Sequence, residues 1–460
     1  MPTAPSTTSG ASFVRRRAVR VASGIASVGV FAGFSLIGAT SASAATDADC
    51  TPSNTVTANA LGTNASDIQT LLNGLTPPAV ICISGTFNVT TTLTYGYNVT
   101  LHGVSSTHNV LDAGGTTRIL SDSTSDTLIV ENLTFANGAA GRGLGGAISG
   151  FAVEAYNSDF TTNKSQVGGA IYAQQVQVFD STFEENQGGD AGGAIAAGAV
   201  RATRSTFHHN GAAGLGGAIV DYGPVDVDSS TFDANQASSG GAISAYGAMS
   251  VKNSTFVGNT SNADGGRGGA IFTHKGGNVL QSTFWDNNSA DIGGRAIFAL
   301  GGELDVRGNI FSDDASAASQ LAATDTTILH DQGGNLFTTT AAAETALASP
   351  DPSSKFSLTV SSLFGPAPAL ADNGGPTKTV ALSSTSVAID AVPVGSPSVT
   401  VDQRGVARTG LSDAGAYEAP APALASTGAA PSTWIGGVAA LLLVGGAAVL
   451  GLSRRRVRSR

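Results

Sequence analysis

The sequence predicts an all-β solenoid of stacked coils, and three observations carry that prediction. Phenylalanine returns at Phe135, Phe160, Phe183, Phe207, Phe232, Phe256, Phe284 and Phe311, always 23 to 28 residues apart. Isoleucine keeps the same beat at Ile148, Ile171, Ile195, Ile219, Ile243, Ile271 and Ile297, and asparagine follows Phe by three at Asn163, Asn186, Asn210, Asn235, Asn259 and Asn287. The alternation around each anchor has a period of two rather than 3.6, which marks strands, not helices. A period of this length held over many units is the signature of a stacked repeat.

Composition agrees. The 460 residues include 60 glycines, with 41% apolar, 12% charged and 6% aromatic residues, so the chain is neither disordered nor helix-rich. A unit of about 24 residues accommodates three short strands and their turns. Gly-Gly before each Ala-Ile supplies a bend that tolerates positive φ or a close backbone approach. Stacking puts Ile over Ile and Phe over Phe at about 4.8 Å, and Asn over Asn as a hydrogen-bonded ladder. A leucine-rich repeat would need an L-x-x-L-x-L scaffold that is missing, and a propeller a longer unit.

Residues 1–44 read as a secretory signal: Arg15, Arg16, Arg17 and Arg20, then the apolar run from Val21, then a small-x-small site ending at Ala44. A retained transmembrane anchor is the alternative. Residues 45–79 read as an N-terminal cap. Within them 64–74 forms a short helix, with Ser66 as N-cap, Ile68, Leu71 and Leu72 as the apolar face and Gly74 as the stop. Cys50 and Cys82, the only cysteines, suit one disulfide holding this lid in an exported chain, with two unpaired thiols as the alternative. Residues 80–340 are the solenoid proper.

Residues 341–418 form a C-terminal cap module, and 419–433 a Pro/Ala-rich linker. Trp434 to Leu452 is 19 residues without a charge, long enough to cross a bilayer as a helix, and the arginine-rich 453–460 would stay cytoplasmic. With both ends removed, residues 45–418 carry a net charge of −19, which excludes nucleic-acid binding through a basic patch.

The repeat, "GGAI" followed by "STF" and Asn, resembles the right-handed parallel β-helix of pectin-lyase-like and polymorphic outer-membrane-type surface proteins over residues 80 to 340. That resemblance implies the fold and its hand, but the same fold hosts lyases, hydrolases and adhesive stalks. Asn373-Gly374-Gly375-Pro376-Thr377, Ala388-Ile389-Asp390, Asp402-Gln403-Arg404-Gly405 and Gly415-Ala416-Tyr417-Glu418 resemble the C-terminal module of bacterial β-helix proteins with a choice of anchor, with Val392 where a glycine is usual. Leu424-Ala425-Ser426-Thr427-Gly428 resembles the L-A-x-T-G variant of the sortase signal. It implies cleavage between Thr427 and Gly428 and linkage of Thr427 to cell-wall peptidoglycan, with permanent membrane anchoring through 434–452 as the alternative.

Two surface strips are candidate sites. Glu184, His208 and Asp233 follow Phe on successive coils, a histidine between two carboxylates that would raise its pKa and suit it to proton transfer. With Glu185 and His209 alongside, the cluster would accept a divalent ion such as calcium; no motif calls for a cofactor. A solvated turn of complementary charges is the plainer reading, since no second wall and no lyase base accompany it. The other strip is aromatic: Tyr172, Phe272 and Phe298 one step after Ile, and Phe151, Tyr222, Tyr246 and His274 three steps after, with Asp221 and Thr273 nearby. Outward rings would stack on sugar faces, unless a loop covers them. The expectation is a non-enzymatic rod on the outer cell face that binds polysaccharide, a host or a neighbouring cell, with a polysaccharide lyase or glycosidase as the alternative.

Overall fold

The computed structural model describes residues 45–420, apart from 59–62, 106–107, 123, 264, 291–292, 314–317, 325, 348 and 395–398. Residues 1–44, expected to be a secretory signal, the L-A-x-T-G residues 424–428 and the apolar span 434–452 lie outside the described residues. No helix among the described residues is long and apolar enough to cross a membrane.

The chain winds as a right-handed parallel β-helix of about eleven turns. Each full coil contributes an isoleucine strand and a valine strand to a 20-stranded sheet, a phenylalanine strand to a 12-stranded sheet, and in the middle coils a short strand to a 6-stranded sheet. In two coils the first two strands run on as one, Ile171–Phe179 and Ile195–Thr203. Phe183 pairs with Phe207, Phe207 with Phe232, and Ile171 with Ile195, so sequence period equals one turn. Where the period lengthens to 28 between Phe256 and Phe284, the register Phe256↔Phe284 and Ile243↔Ile271 still holds, because the extra residues fall between the paired strands, after Ser261 and before Ile271.

The buried columns explain why a coil needs a neighbour. From Phe135 to Phe337 the rings stack face to face, with centroids 4.6 to 5.1 Å apart. Phe356 ends the column 4.8 Å beyond Phe337. Each ring adds offset stacking to its apolar burial. The asparagines are buried, and each Nδ2 donates to the next Oδ1 at 2.9 to 3.0 Å from Asn163 to Asn287. The same Nδ2 donates to a phenylalanine carbonyl one coil back, as Asn210 does to Phe183. A serine column runs parallel, each Ser N–H donating to the next Ser Oγ from Ser158 to Ser282, where Asn309 takes over. These ladders satisfy turn groups that water cannot reach.

Gly-Gly has two separate duties. Gly216 sits at φ 63°, a conformation that side chains rarely adopt, while a Cβ on Gly217 would run into the carbonyl of Gly241 on the next coil.

At the N-terminal end, helix α1 (Ser66–Gly74) covers the first coil with Ile68 and Leu72. The expected N-cap is displaced: Ser66 is the first helical residue, Ala65 occupies the cap position, and the Asn64 side chain accepts from the Ser66 N–H at 3.0 Å. Two residues of reach, not one, let that carbonyl oxygen face the open N–H. Gln69 completes the edge strand Leu93–Tyr95, accepting from Thr94 N at 2.7 Å and donating to Thr94 O at 3.0 Å, so a side-chain amide blunts the edge. Cys50 and Cys82 are joined in a disulfide, Cα to Cα 5.7 Å.

The C-terminal segment closes the last coil at Phe356 and then departs from a simple end cap. Helix α2 (Val360–Phe364) and the hairpin Leu370–Ala371 with Thr379–Val380 begin a layer that lies back along the phenylalanine-strand flank. Gln403 Nε2 donates to Thr231 Oγ1 at 2.9 Å and to Thr377 Oγ1 at 2.8 Å, while its Oε1 accepts from Thr255 Oγ1 at 2.6 Å. Ala416 N donates to Thr283 Oγ1 at 3.0 Å, one coil further on. Three of the four sequence motifs of this segment interlock here, and the Ala388–Asp390 motif joins them through Asp413. Arg404 lies 3.6 Å over the Tyr417 ring, Glu418 N donates to Asp402 at 2.9 Å, and Asp390 N donates to Asp413 at 2.8 Å.

Candidate ligand-binding surfaces

The charged ladder has the expected register but not the expected freedom. Glu184 pairs with His208, and His208 with Asp233, in successive parallel strands. His208 Nδ1 lies 2.7 Å from Asp233 Oδ2, and its ring is 3.9 Å from the tilted ring of His209. Glu185 and His209 take positive φ at a turn, directing them outward. Among the described residues no group of three or more His, Cys, Asp or Glu side chains is arranged to hold a metal ion. The ladder then ends under the C-terminal layer. Val257 is buried, and Trp285 packs 6.3 Å from Phe364.

The aromatic strip is continuous from Tyr222 to Phe298, but its faces are not free. Tyr222 stacks on Tyr246 at 5.6 Å and Tyr246 on His274 at 3.9 Å; Phe272 is tilted against His274 at 4.7 Å and against Phe298 at 5.9 Å. Arg267 caps Phe298 at 4.7 Å. Phe272 and Phe298 are buried, which corrects their expected exposure: neighbouring rings along the axis cover them. Tyr172, Tyr222 and Tyr246 are half-buried against Leu144, Val167, Ala191, Leu215 and Val220. Desolvation pushes the Tyr222 phenol up to about 12. Rings spaced by one coil cover each other, so they present edges and hydroxyls to a ligand instead of flat faces. Phe151 alone among the strip residues is exposed.

Asp221 was placed beside these rings by sequence and is instead inside. Its register neighbours are Ala197 and Ala245, both lumen residues, and it is fully buried. Among the described residues no group meets either carboxylate oxygen in hydrogen-bonding geometry. Burial pushes its pKa up to about 8, and the nearby Gly223 N–H pulls the other way without offsetting it. Thr273, at the same register two coils on, is also buried and donates to Gly276 O at 3.1 Å.

A third surface escaped the sequence. Ser105, His108, Asn109, Asn132, Leu133, Thr134, Asn157 and Asp159 line a polar groove of about 350 Å³. Its floor is the turn before the phenylalanine strand, where Asn132 and Asn157 adopt φ 55° and 45° and Asn157 Nδ2 donates to Asn132 Oδ1 at 2.8 Å. Its wall is the irregular loop around Asn109, held by Asn109 Nδ2 to Val104 O at 2.9 Å and Gly85 N to Asn109 Oδ1 at 3.1 Å. The sequence signal was present but quiet. Asn132 and Asn157 precede Phe by three residues, at a turn position occupied elsewhere by Asp180, Arg204 and Ser229, so composition did not single them out.

Cations on the neighbouring flank are engaged. Arg201 pairs with Asp226 at 3.3 Å, Arg204 with Asp180 at 2.6 Å, and Lys252 with Asp228 at 3.2 Å. No family model matches the chain, and no curated protein matches it significantly.

Proposed function

We propose that this is an exported β-helix anchored at the cell surface, which binds a neutral or amino-sugar polysaccharide without cleaving it. The observation that carries the reading is the polar groove, where amide, imidazole, hydroxyl and carboxylate groups converge on a cavity of sugar-residue scale. The hydroxyl edges of Tyr222 and Tyr246 give a second contact line parallel to the axis. A net charge of −19 over residues 45–418 repels polyanionic chains such as polyuronates, which narrows the ligand class. The arginines and lysine of the adjacent flank are tied to aspartates, which leaves them poor lyase bases. Export rests on residues 1–44 and anchoring on 424–452.

The test is glycan binding by the purified exported protein. Asn157→Ala with Asp159→Ala should weaken binding at least tenfold, and Tyr222→Ala with Tyr246→Ala by a smaller factor. Binding unchanged by both pairs removes these surfaces from the reading. A depolymerisation screen, with and without calcium, should yield no product; released oligosaccharide would establish the lyase or glycosidase alternative. Thr427→Ala should move the protein from the wall fraction to the membrane fraction, and an unmoved distribution rejects sortase attachment.

A further inference from the structure

Six residues at the start of the described chain touch three successive coils. Cys50 is bonded to Cys82; Asp47 Oδ1 lies 3.1 Å from His102 Nε2 and accepts from Ser105 N at 3.1 Å; and Ala45 N donates to Glu131 Oε1 at 3.2 Å. Cys82, His102 and Glu131 are consecutive in one outward register column, Cys82↔His102↔Glu131. The other oxygen of Glu131 meets His102 Nδ1 at 3.1 Å. His102 is 1% exposed and Glu131 3%.

The charges around Glu131 do not balance. Three carboxylates, Glu131, Asp47 and Asp49, surround one imidazole, and the next residue in the column is Tyr156, whose hydroxyl is turned to Glu154. Desolvation lifts the Glu131 carboxyl above the ordinary range, only partly countered by His102 and the Ala45 N–H. A buried carboxylate facing only a neutral amide is costly, and an ammonium group in the amide's place offsets part of that cost by charge and by added hydrogen bonds.

The sequence supplies that ammonium group independently. Ala42-Ser43-Ala44 is the small-x-small cleavage site read from the signal segment, and the next residue is Ala45. We propose that Glu131 is the receptor for a new amino terminus at Ala45, whose ammonium group locks the first three coils after export. The step is hydrolysis by a signal peptidase. The Ala44–Ala45 C–N bond breaks, water gives its hydroxyl to the Ala44 carbonyl carbon and a proton to the Ala45 nitrogen, and solvent supplies the further proton of the ammonium ion. Before cleavage Ala45 offers Glu131 one N–H; afterwards it offers three donors and a full positive charge. This inference rests on the export reading.

The experiment uses the full-length protein exported from a bacterial host. Mass spectrometry of the N-terminal peptide identifies the new terminus, and an acylating reagent near neutral pH reports the free α-amine, since only the unprotonated amine reacts. We expect the terminus at Ala45, acylated at least tenfold more slowly in folded than in urea-unfolded protein, equivalent to one pKa unit. In Glu131→Gln that protection should be lost; should this variant not fold, the folded-against-unfolded comparison on the unaltered protein still decides. A terminus at Ala45 that reacts equally fast folded and unfolded overturns the receptor. Cleavage at another residue overturns it while leaving export intact, and an uncleaved exported chain overturns both.

Discussion

Between Phe135 and Phe337 each coil meets a near copy of itself, whereas the coils carrying Cys82, His102 and Glu131 meet a short strap unlike any of them. In the first region the stabilising contacts repeat, so ring lies on ring and amide on amide. In the second they occur once each: a disulfide, a buried imidazole–carboxylate pair and a backbone N–H. The lesson concerns boundary conditions. An interior coil is protected on both sides by its own kind, but the end of the stack needs specific chemistry to hold the first turns together.

The largest expected effect belongs to Asp221, an ionisable side chain facing the lumen of the regular stack. Asp221 stays neutral in the fold up to about pH 8, while in the unfolded chain it ionises near the ordinary value of about 3.9. Between those limits the unfolded chain holds fewer protons, so stability falls as pH rises and levels off above 8. The loss attributable to this residue is on the order of 5 kcal/mol across that window. Denaturant melts of the unaltered protein and Asp221→Asn at pH 4 and pH 8 should differ by this pH-dependent amount; parallel profiles would refute a neutral buried carboxyl.

Phe207→Ala comes next. Phe207 is fully buried between Phe183 and Phe232, with centroids at 4.9 and 4.7 Å, so truncation opens a gap that neither rigid neighbour can fill. Equilibrium unfolding should show a loss of about 3–5 kcal/mol. Cys50→Ser with Cys82→Ser should cost about 3 kcal/mol, since the bond closes a separation of 32 residues. That loss should be local. Amide exchange should quicken at Ile81 and Leu101 and stay unchanged at Val200 and Val227, and uniform quickening would erase the distinction between strap and stack. The smallest effect is Arg204→Ala. Its bidentate bond to Asp180 is exposed on both sides, and its removal should change stability by less than about 1 kcal/mol.

The repeat was legible because it buries the same residue type at the same step. Phe, Ile and Asn could be read as columns from spacing alone, and the structure pairs them residue for residue. Surface roles were not legible. Thr206 and Thr231 hold the same register position, yet Thr206 is half-exposed while Thr231 is buried beneath Lys378 and Gln403. No local signal distinguishes them, since the difference comes from a segment about 150 residues later folding back. Tyr222 and Tyr246 illustrate the same point: their spacing gave the row, but mutual stacking removed the open faces that spacing seemed to offer.

Sequence by itself determined the coil, its period, the buried columns and the Gly-Gly bends, because each is a local pattern repeated until its neighbours bury it. Only the tertiary structure decided that Asp221 faces the lumen, that the C-terminal segment shields one flank, and that Asn132, Asn157 and the loop around Asn109 enclose a groove. Those outcomes depend on contacts made once, between segments far apart in the chain, and a contact made once leaves no period to read.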